Sequence, residues 1–225
     1  MQTILIIEDE TFILNSLSTY FNNRGYQVLM ADDGRKGLDI FTSNAVNLII
    51  LDIMLPELDG WAVCRRIRKI SNVPVILLTA RSDEDDILLG FELGADDYVT
   101  KPFKPAVLLA RSKRLLENKT ASSKGNSDEL NISGIKVNKS TRTVIIDDQQ
   151  LNLTYTEYEI LVALMEHKQQ VLSRENLIIL VWGYQHESDD TTLNTHIRNL
   201  RNKLGKKAVH IKTVIRVGYR FEEKL

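Results

Sequence analysis

Little in this chain permits cross-linking or soft-metal chemistry. Its 225 residues include one cysteine, Cys64, and four prolines. A single thiol excludes an internal disulfide framework and any cysteine-based zinc site, and it fits a reducing compartment, the cytoplasm. No apolar run approaches the ~18 residues of a membrane span, so no membrane partner is expected. The N-terminal MQTILIIEDE lacks a basic region and passes from apolar residues straight into acids, so a secretory leader is not expected either. An excess of charge is also missing: 29 Lys+Arg stand against 30 Asp+Glu, a net charge of −1.

That balance conceals two unlike halves. Residues 1–120 hold 14 basic and 17 acidic residues, and residues 121–225 hold 15 basic and 13 acidic. No acid occurs from Thr191 to Phe221, where eight bases fall, and no base occurs from Ser82 to Thr100. Segregated charge of this kind points the C-terminal block toward nucleic acid. Between the halves, NKTASSKGNSD at 118–128 has the small polar composition of a flexible linker. The expected organisation is a domain at 1–118, a linker at 119–129 and a domain at 130–225.

In the first half, short apolar runs recur at Thr3–Ile7, Gln27–Met30, Leu48–Leu51, Val75–Leu78 and Tyr98–Val99. They are too short for helices and suit parallel strands covered on both faces. The segments between them carry helical spacing, as in Glu10–Arg24. The alternation predicts an α/β, doubly wound five-stranded parallel sheet. Ligands of such sheets bind beyond the carboxyl ends of the strands. The residues there are Glu8, Asp9 and Glu10 after the first strand, Asp52 after the third, Thr79 after the fourth and Lys101 after the fifth. Clustered carboxylates without His or Cys fit a hard divalent ion such as Mg2+. A lysine and a hydroxyl beside a carboxylate nucleophile fit acceptance of a phosphoryl group.

The motifs IIEDE at 6–10, LDIMLPELDG at 51–60, LTA at 78–80 and GADDYVTKPF at 94–103 together resemble the flavodoxin-like receiver domain of two-component response regulators. The resemblance implies that Asp52 is the phospho-acceptor. It implies Mg2+ held by Asp9, Asp52 and the backbone carbonyl of Met54, with Glu8 acting through a water. Lys101 would pair with the phosphoryl oxygens, aimed by a cis Lys101–Pro102 bond. Thr79 would bind the phosphoryl group, and Tyr98 would change rotamer when it arrives.

The second half begins with short alternating stretches at Ile135–Val137, Thr143–Ile146 and Leu151–Leu153, with a turn at Asp147–Gln150. These predict a small antiparallel sheet. Three helices are expected at Thr156–His167 (capped by Thr156), Arg174–Trp182 (capped by Ser173) and Thr191–Leu204. A hairpin is expected over Ile211–Phe221. On the third helix Leu193, Ile197, Leu200 and Leu204 form one apolar stripe. The remainder carries Thr191, Asn194, Thr195, Arg198, Asn199, Arg201, Asn202 and Lys203, groups suited to base edges and phosphates of double-stranded DNA. The hairpin adds Lys212, Arg216 and Tyr219.

LTYTEYEILVAL at 153–164, VLSRENLIILVWGY at 171–184, LNTHIRNLRNKL at 193–204 and IKTVIRVGYRF at 211–221 resemble the α+β winged helix-turn-helix effector domain of OmpR/PhoB-type response regulators. The resemblance implies a recognition helix at 191–204, a wing at 211–221, and a loop after Trp182 that contacts RNA polymerase. Departures fall on the helix, where Thr191 stands for the family's frequent arginine and Asn194 for its aspartate, and on the wing, where Ile215 replaces the usual arginine and Arg216 its glycine; Arg216 is expected to take over the wing contact. The family also implies phosphorylation by a sensor histidine kinase and a homodimer formed on phosphorylation. Its face would comprise Ile87, Leu88, Phe91, Asp96, Asp97, Val107, Ala110 and Arg111. Ile87 and Val107 stand where the family has charges, so the expected dimer rests more on apolar burial. Asp97–Arg111 would be an intermolecular or an intrachain pair. Two other functions stay open on the residues: a DNA regulator independent of phosphorylation, and an Mg2+-dependent aspartyl phosphatase. The phosphatase would want a second acid two residues past its nucleophile, where this chain has Met54.

Overall fold

The computed structural model describes residues 1–80, 84–117, 128–183 and 190–223, with only the backbone at 84–87. The chain divides into two units, Met1–Glu117 and Asn118–Leu225. Most of the expected linker lies outside the described residues.

The first unit alternates strands and helices: β1 (Thr3–Ile7), α1 (Thr11–Asn22), β2 (Gln27–Ala31), α2 (Gly34–Ser43), β3 (Leu48–Asp52), α3 (Gly60–Arg68), β4 (Val75–Thr79), α4 (Glu84–Glu92), β5 (Asp97–Thr100) and α5 (Pro105–Leu116). The strands form one parallel sheet in the order β2-β1-β3-β4-β5. Every residue of β1, β3 and β4 is buried, which is why their sequences read as unbroken apolar runs. Each aliphatic side chain so buried contributes roughly 1.5–3 kcal/mol. The chain leaves β1 toward β2 and returns across it to β3, so strand order reverses between β1 and β3. The crevice at that point opens at the ends of the strands bearing Glu8 and Asp52.

One glycine sets the geometry there. A Cβ on Gly60 would lie 2.2 Å from the Asp52 carbonyl oxygen, so only glycine lets α3 start against the end of β3. The Asp59 side chain caps α3 by accepting from the Ala62 N–H at 2.7 Å.

The second unit opens with an antiparallel meander of β6 (Glu129–Ile132), β7 (Ile135–Asn138), β8 (Thr143–Ile146) and β9 (Gln149–Leu151). Strand β6 starts inside the expected linker, because Leu130 and Ile132 alternate with polar neighbours and pair with β7. Asp147 and Asp148 both have positive φ (50° and 59°), so they alone form the two-residue hairpin turn. Gln149 and Gln150 therefore belong to β9, and Leu153 packs into the core beyond it.

Then follow α6 (Tyr155–Glu166), β10 (Val171–Ser173), α7 (Arg174–Trp182), α8 (Asp190–Leu204), β11 (Ile211–Val214) and β12 (Gly218–Phe221). The cap of α6 is Thr154 and not Thr156. Thr154 accepts from the Glu157 N–H while the Glu157 carboxylate accepts from the Thr154 N–H at 2.8 Å, a reciprocal capping box. Ser173 caps α7 as expected, accepting from the Asn176 N–H at 3.1 Å. Strand β10 was not expected; three residues are too few for periodicity, and it pairs with β12, far along the chain. The sheet order is β10-β12-β11. Leu193, Ile197, Leu200 and Leu204 are buried as one stripe of α8.

Candidate functional sites

Four strand ends of the first unit converge on one charged cluster. The Lys101 ammonium donates to Asp52 Oδ2 at 2.7 Å and to Glu8 Oε1 at 2.9 Å, and lies 3.5 Å from Glu10 Oε1. Glu8 Oε2 also lies 2.8 Å from the ammonium as an ion pair, yet is buried without a properly angled hydrogen bond. Glu8 and Asp52 are 0% and 2% exposed, whereas Asp9 is exposed. Burial pushes Glu8 up to about 7, with the Asp52 charge adding and Lys101 opposing. Burial also pulls Lys101 down, but its hydrogen bonds to Asp52 and Glu8 outweigh that and hold it above the ordinary lysine value.

Asp52 Oδ1 accepts from the Met54 N–H at 3.1 Å, and Met54 itself is exposed. Thr79 is buried at the end of β4, and its carbonyl accepts from the Lys101 N–H at 2.6 Å. The Lys101–Pro102 bond is cis. Carboxylate oxygens of Glu8, Asp9 and Asp52 lie within 4.8 Å of one another. This all-oxygen set, with no nitrogen or sulfur ligand among its members, fits a hard divalent cation. Cys64 takes no part: burial pushes its thiol up to about 11, which leaves it unreactive.

The face expected to meet a second copy is partly internal. Phe91 is 1% exposed and packs edge-on against half-buried Tyr98, ring centroids 5.7 Å apart. Asp97 is fully buried. It accepts from Arg111 Nη1 at 2.8 Å and Arg114 Nη2 at 3.4 Å, so the Asp97–Arg111 pair closes within the chain. Asp96 is also fully buried, and Arg68 reaches it from α3. Arg68 Nη2 donates to Asp96 Oδ2 at 2.8 Å, Nε to the Gly94 carbonyl at 2.8 Å and Nη1 to the Val73 carbonyl at 2.5 Å. Phe91, Asp96 and Asp97 therefore do not offer side chains to a partner here, because neighbouring segments of the same chain satisfy them. Val107 and Ala110 are exposed and Leu88 is half-buried. The side chain of Ile87 lies outside the described residues.

On α8, Asn194, Arg198, Asn202 and Lys203 are exposed, with Thr191, Asn199 and Arg201 half-buried. Thr195 is buried, its hydroxyl donating to the Thr191 carbonyl at 3.0 Å, so it is not a surface contact. Lys203 donates to buried Glu157 at 2.6 Å and ties α8 to α6. Arg201 Nη2 donates to the Ile211 carbonyl at 2.8 Å and to Thr213 Oγ1 at 2.9 Å, tying α8 to β11. Tyr219 is buried, with its hydroxyl donating to Asn194 Oδ1 at 2.5 Å. The expected DNA contacts Thr195 and Tyr219 thus act within the fold. Glu157 went unread as a partner of the helix, although its capping-box spacing from Thr154 marked it.

Lys212 is half-buried. At the hairpin tip, Arg216 is exposed at φ 63°, between Ile215 (81% exposed) and Val217 (47%). An L-residue other than Asn or Asp is uncommon there. Trp182 is buried against His196, and the loop from Tyr184 lies outside the described residues. Among the described residues, no helix is long and apolar enough to cross a membrane.

Residues 4–113 match the family described as the response regulator receiver domain, and residues 148–221 that described as the C-terminal domain of transcriptional regulatory proteins. The chain is 42% identical over 224 residues to the transcriptional regulatory protein YclJ of Bacillus subtilis, covering 98% of this chain and 99% of the relative. It is 40% identical to the response regulator ArlR of Staphylococcus saprophyticus, covering 97% and 98%. The crystal structure of the response regulator DrrB, an OmpR/PhoB homologue from Thermotoga maritima, matches with a TM-score of 0.54 and 33% identity, covering 99% of each chain.

Proposed function

Since this chain belongs to the OmpR/PhoB-type response regulators of two-component systems, we propose that Asp52 is its phospho-acceptor and α8 its DNA-recognition helix. The observation that carries this is Lys101 clamped between Asp52 and Glu8 at the strand-order reversal. A sensor histidine kinase presents a phosphohistidine. An Asp52 oxygen attacks phosphorus in line, the P–N bond breaks, and the pair returns to the imidazole. Lys101 is placed to neutralise charge on the phosphoryl oxygens, and Thr79 to donate a hydrogen bond to one of them. Glu8, Asp9, Asp52 and the Met54 carbonyl would hold Mg2+, which when bound supplies further charge neutralisation. Slow hydrolysis of the same acyl phosphate returns the resting state; the chain is a regulator and not a turnover enzyme.

Thr79 and Tyr98 rearrange on phosphorylation and favour a homodimer. Leu88, Val107 and Ala110 carry its contact, Asp96 and Asp97 being committed internally. Two effector units then bind adjacent half-sites in cytoplasmic DNA, and the loop after Trp182 contacts RNA polymerase. Incubation with acetyl phosphate and Mg2+ tests the reading. One hydroxylamine-labile phosphoryl group per chain is expected, lost with a chelator present, together with a shift to dimer in sedimentation and enrichment of discrete genomic fragments. An unlabelled monomer that enriches nothing would refute it.

The wing carries its own expected result. Arg216 stands exposed at the tip, so Arg216→Ala should weaken binding evenly across sequences and lower the salt slope of log affinity by about 0.9, one phosphate contact. An unchanged slope measured by fluorescence anisotropy would remove Arg216 from the interface.

A further inference from the structure

Asn194 is exposed on α8, yet its carboxamide is not free to turn. Tyr219, in the middle of β12, donates its hydroxyl to Asn194 Oδ1 at 2.5 Å. The tyrosine ring is itself held, with the guanidinium carbons of Arg174 and Arg201 lying 5.5 and 5.7 Å from its centroid. Arg201, two helical turns along α8 from Asn194, bonds β11 at the Ile211 carbonyl and the Thr213 hydroxyl. Helix and wing are therefore joined at both positions, and the first joint ends on a side chain that faces solvent.

An asparagine that reads adenine uses both ends of its amide: Nδ2 donates to N7 while Oδ1 accepts from N6. Here Oδ1 is turned to the wing. The arm left to present outward is Nδ2, with two N–H donors. We propose that Tyr219 makes Asn194 a donor-only reader, which selects a base edge of acceptors, guanine N7 and O6, over adenine. The proposal rests on α8 being the recognition helix. A phosphate oxygen offers the same acceptor chemistry, but a contact to phosphate would be blind to sequence.

The test is selection of double-stranded oligonucleotides from a random pool by the full-length phosphorylated protein and three variants. Wild type should show guanine at one base pair per half-site. Tyr219→Phe keeps the ring beside its two arginines and frees the amide, so guanine preference at that pair should fall by roughly 5- to 150-fold, with adenine admitted. Asn194→Ala should lose discrimination at the same pair. Asn194→Asp keeps the acceptor for Tyr219 and replaces the donors by an oxygen, so preference there should turn toward cytosine, whose N4 amino group donates. Unchanged selection by Tyr219→Phe and Asn194→Asp would overturn the proposal. So would an even loss of affinity across all sequences, which marks a phosphate contact. If wild type itself enriches no sequence, the recognition-helix reading fails and takes this proposal with it.

Discussion

Asp52→Asn is expected to reduce phosphoryl uptake from acetyl phosphate to background while leaving the fold intact. The substitution removes the nucleophilic oxygen but keeps the shape of the side chain. It also takes one negative charge from a group in which carboxylate oxygens of Glu8, Asp9 and Asp52 lie within 4.8 Å of one another. Relief of that repulsion opposes the loss of charge attraction to Lys101, which retains Glu8 and can still donate to the amide oxygen. The thermal transition should therefore stay near that of wild type. Tethering two effector units raises avidity by about 10²–10⁴, and the variant should lose the phosphorylation-dependent share of that gain. Intact mass and gel-shift titration with and without phosphodonor read both effects. If the variant bound DNA and regulated transcription like phosphorylated wild type, the regulator independent of phosphorylation would be the better account. Catalytic turnover of a generic phosphate ester by wild type would favour the phosphatase.

The second large effect is expected from Gly218→Ala. A Cβ at this position would lie 2.0 Å from the Leu172 carbonyl oxygen and 2.9 Å from the Ser173 Cα. Both are backbone atoms of β10, so no rotamer change relieves the clash. Gly218 opens the central strand β12 and pairs with Ser173 on one side and Val214 on the other, so the displacement pries β12 from both neighbours at that end of the three-stranded sheet. Overpacking costs about 1–3 kcal/mol, and rigid backbone on the far side places this case near 3. At roughly 4–8 °C per kcal/mol for a unit of this size, the second unit should melt about 12–24 °C earlier. DNA binding should fail over that range. Phosphoryl uptake by the first unit serves as the internal control. Calorimetry showing the second unit melting as in wild type would contradict the packing argument.

The charged cluster was legible because its members follow unbroken apolar runs, and a run's end tells where a parallel strand stops. Lys101 and Asp52 could be placed together without knowing any distance. The stripe of α8 was legible for the same kind of reason, being local and periodic. Pairings between distant segments were not. Nothing near Asp96 in sequence announces Arg68, 28 positions earlier, as the group that takes it inside. Nothing near Lys203 announces Glu157, nor does α8 itself reveal that Tyr219 has claimed Asn194. Asp96 was expected at a dimer face from the family resemblance, and Lys203, Asn194 and Tyr219 at a DNA-facing surface; pairings within the chain took each of them up instead. Strand β10 escaped because its only support is a partner near the end of the chain. Both Thr154 and Thr156 have a glutamate three residues on, Glu157 and Glu159, so the capping-box spacing did not choose between them, and the cap fell on Thr154 only once the helix began at Tyr155.

Arg68 leaves a trace on how this chain can drift. Its guanidinium joins two segments at once: the approach to β4, at the Ser71 and Val73 carbonyls, and the turn before β5, at the Gly94 carbonyl and the Asp96 carboxylate. Lysine has the same charge and nearly the same reach, but a single nitrogen cannot serve four acceptors that three guanidinium nitrogens now share. One exchange usually tolerated between homologues is thereby closed at this position. Asp96 is bound to the same fate, since its removal would strand the guanidinium against three carbonyls with its charge unanswered. Removing either partner alone leaves a buried charge unpaired, whereas replacing both removes the pair whole.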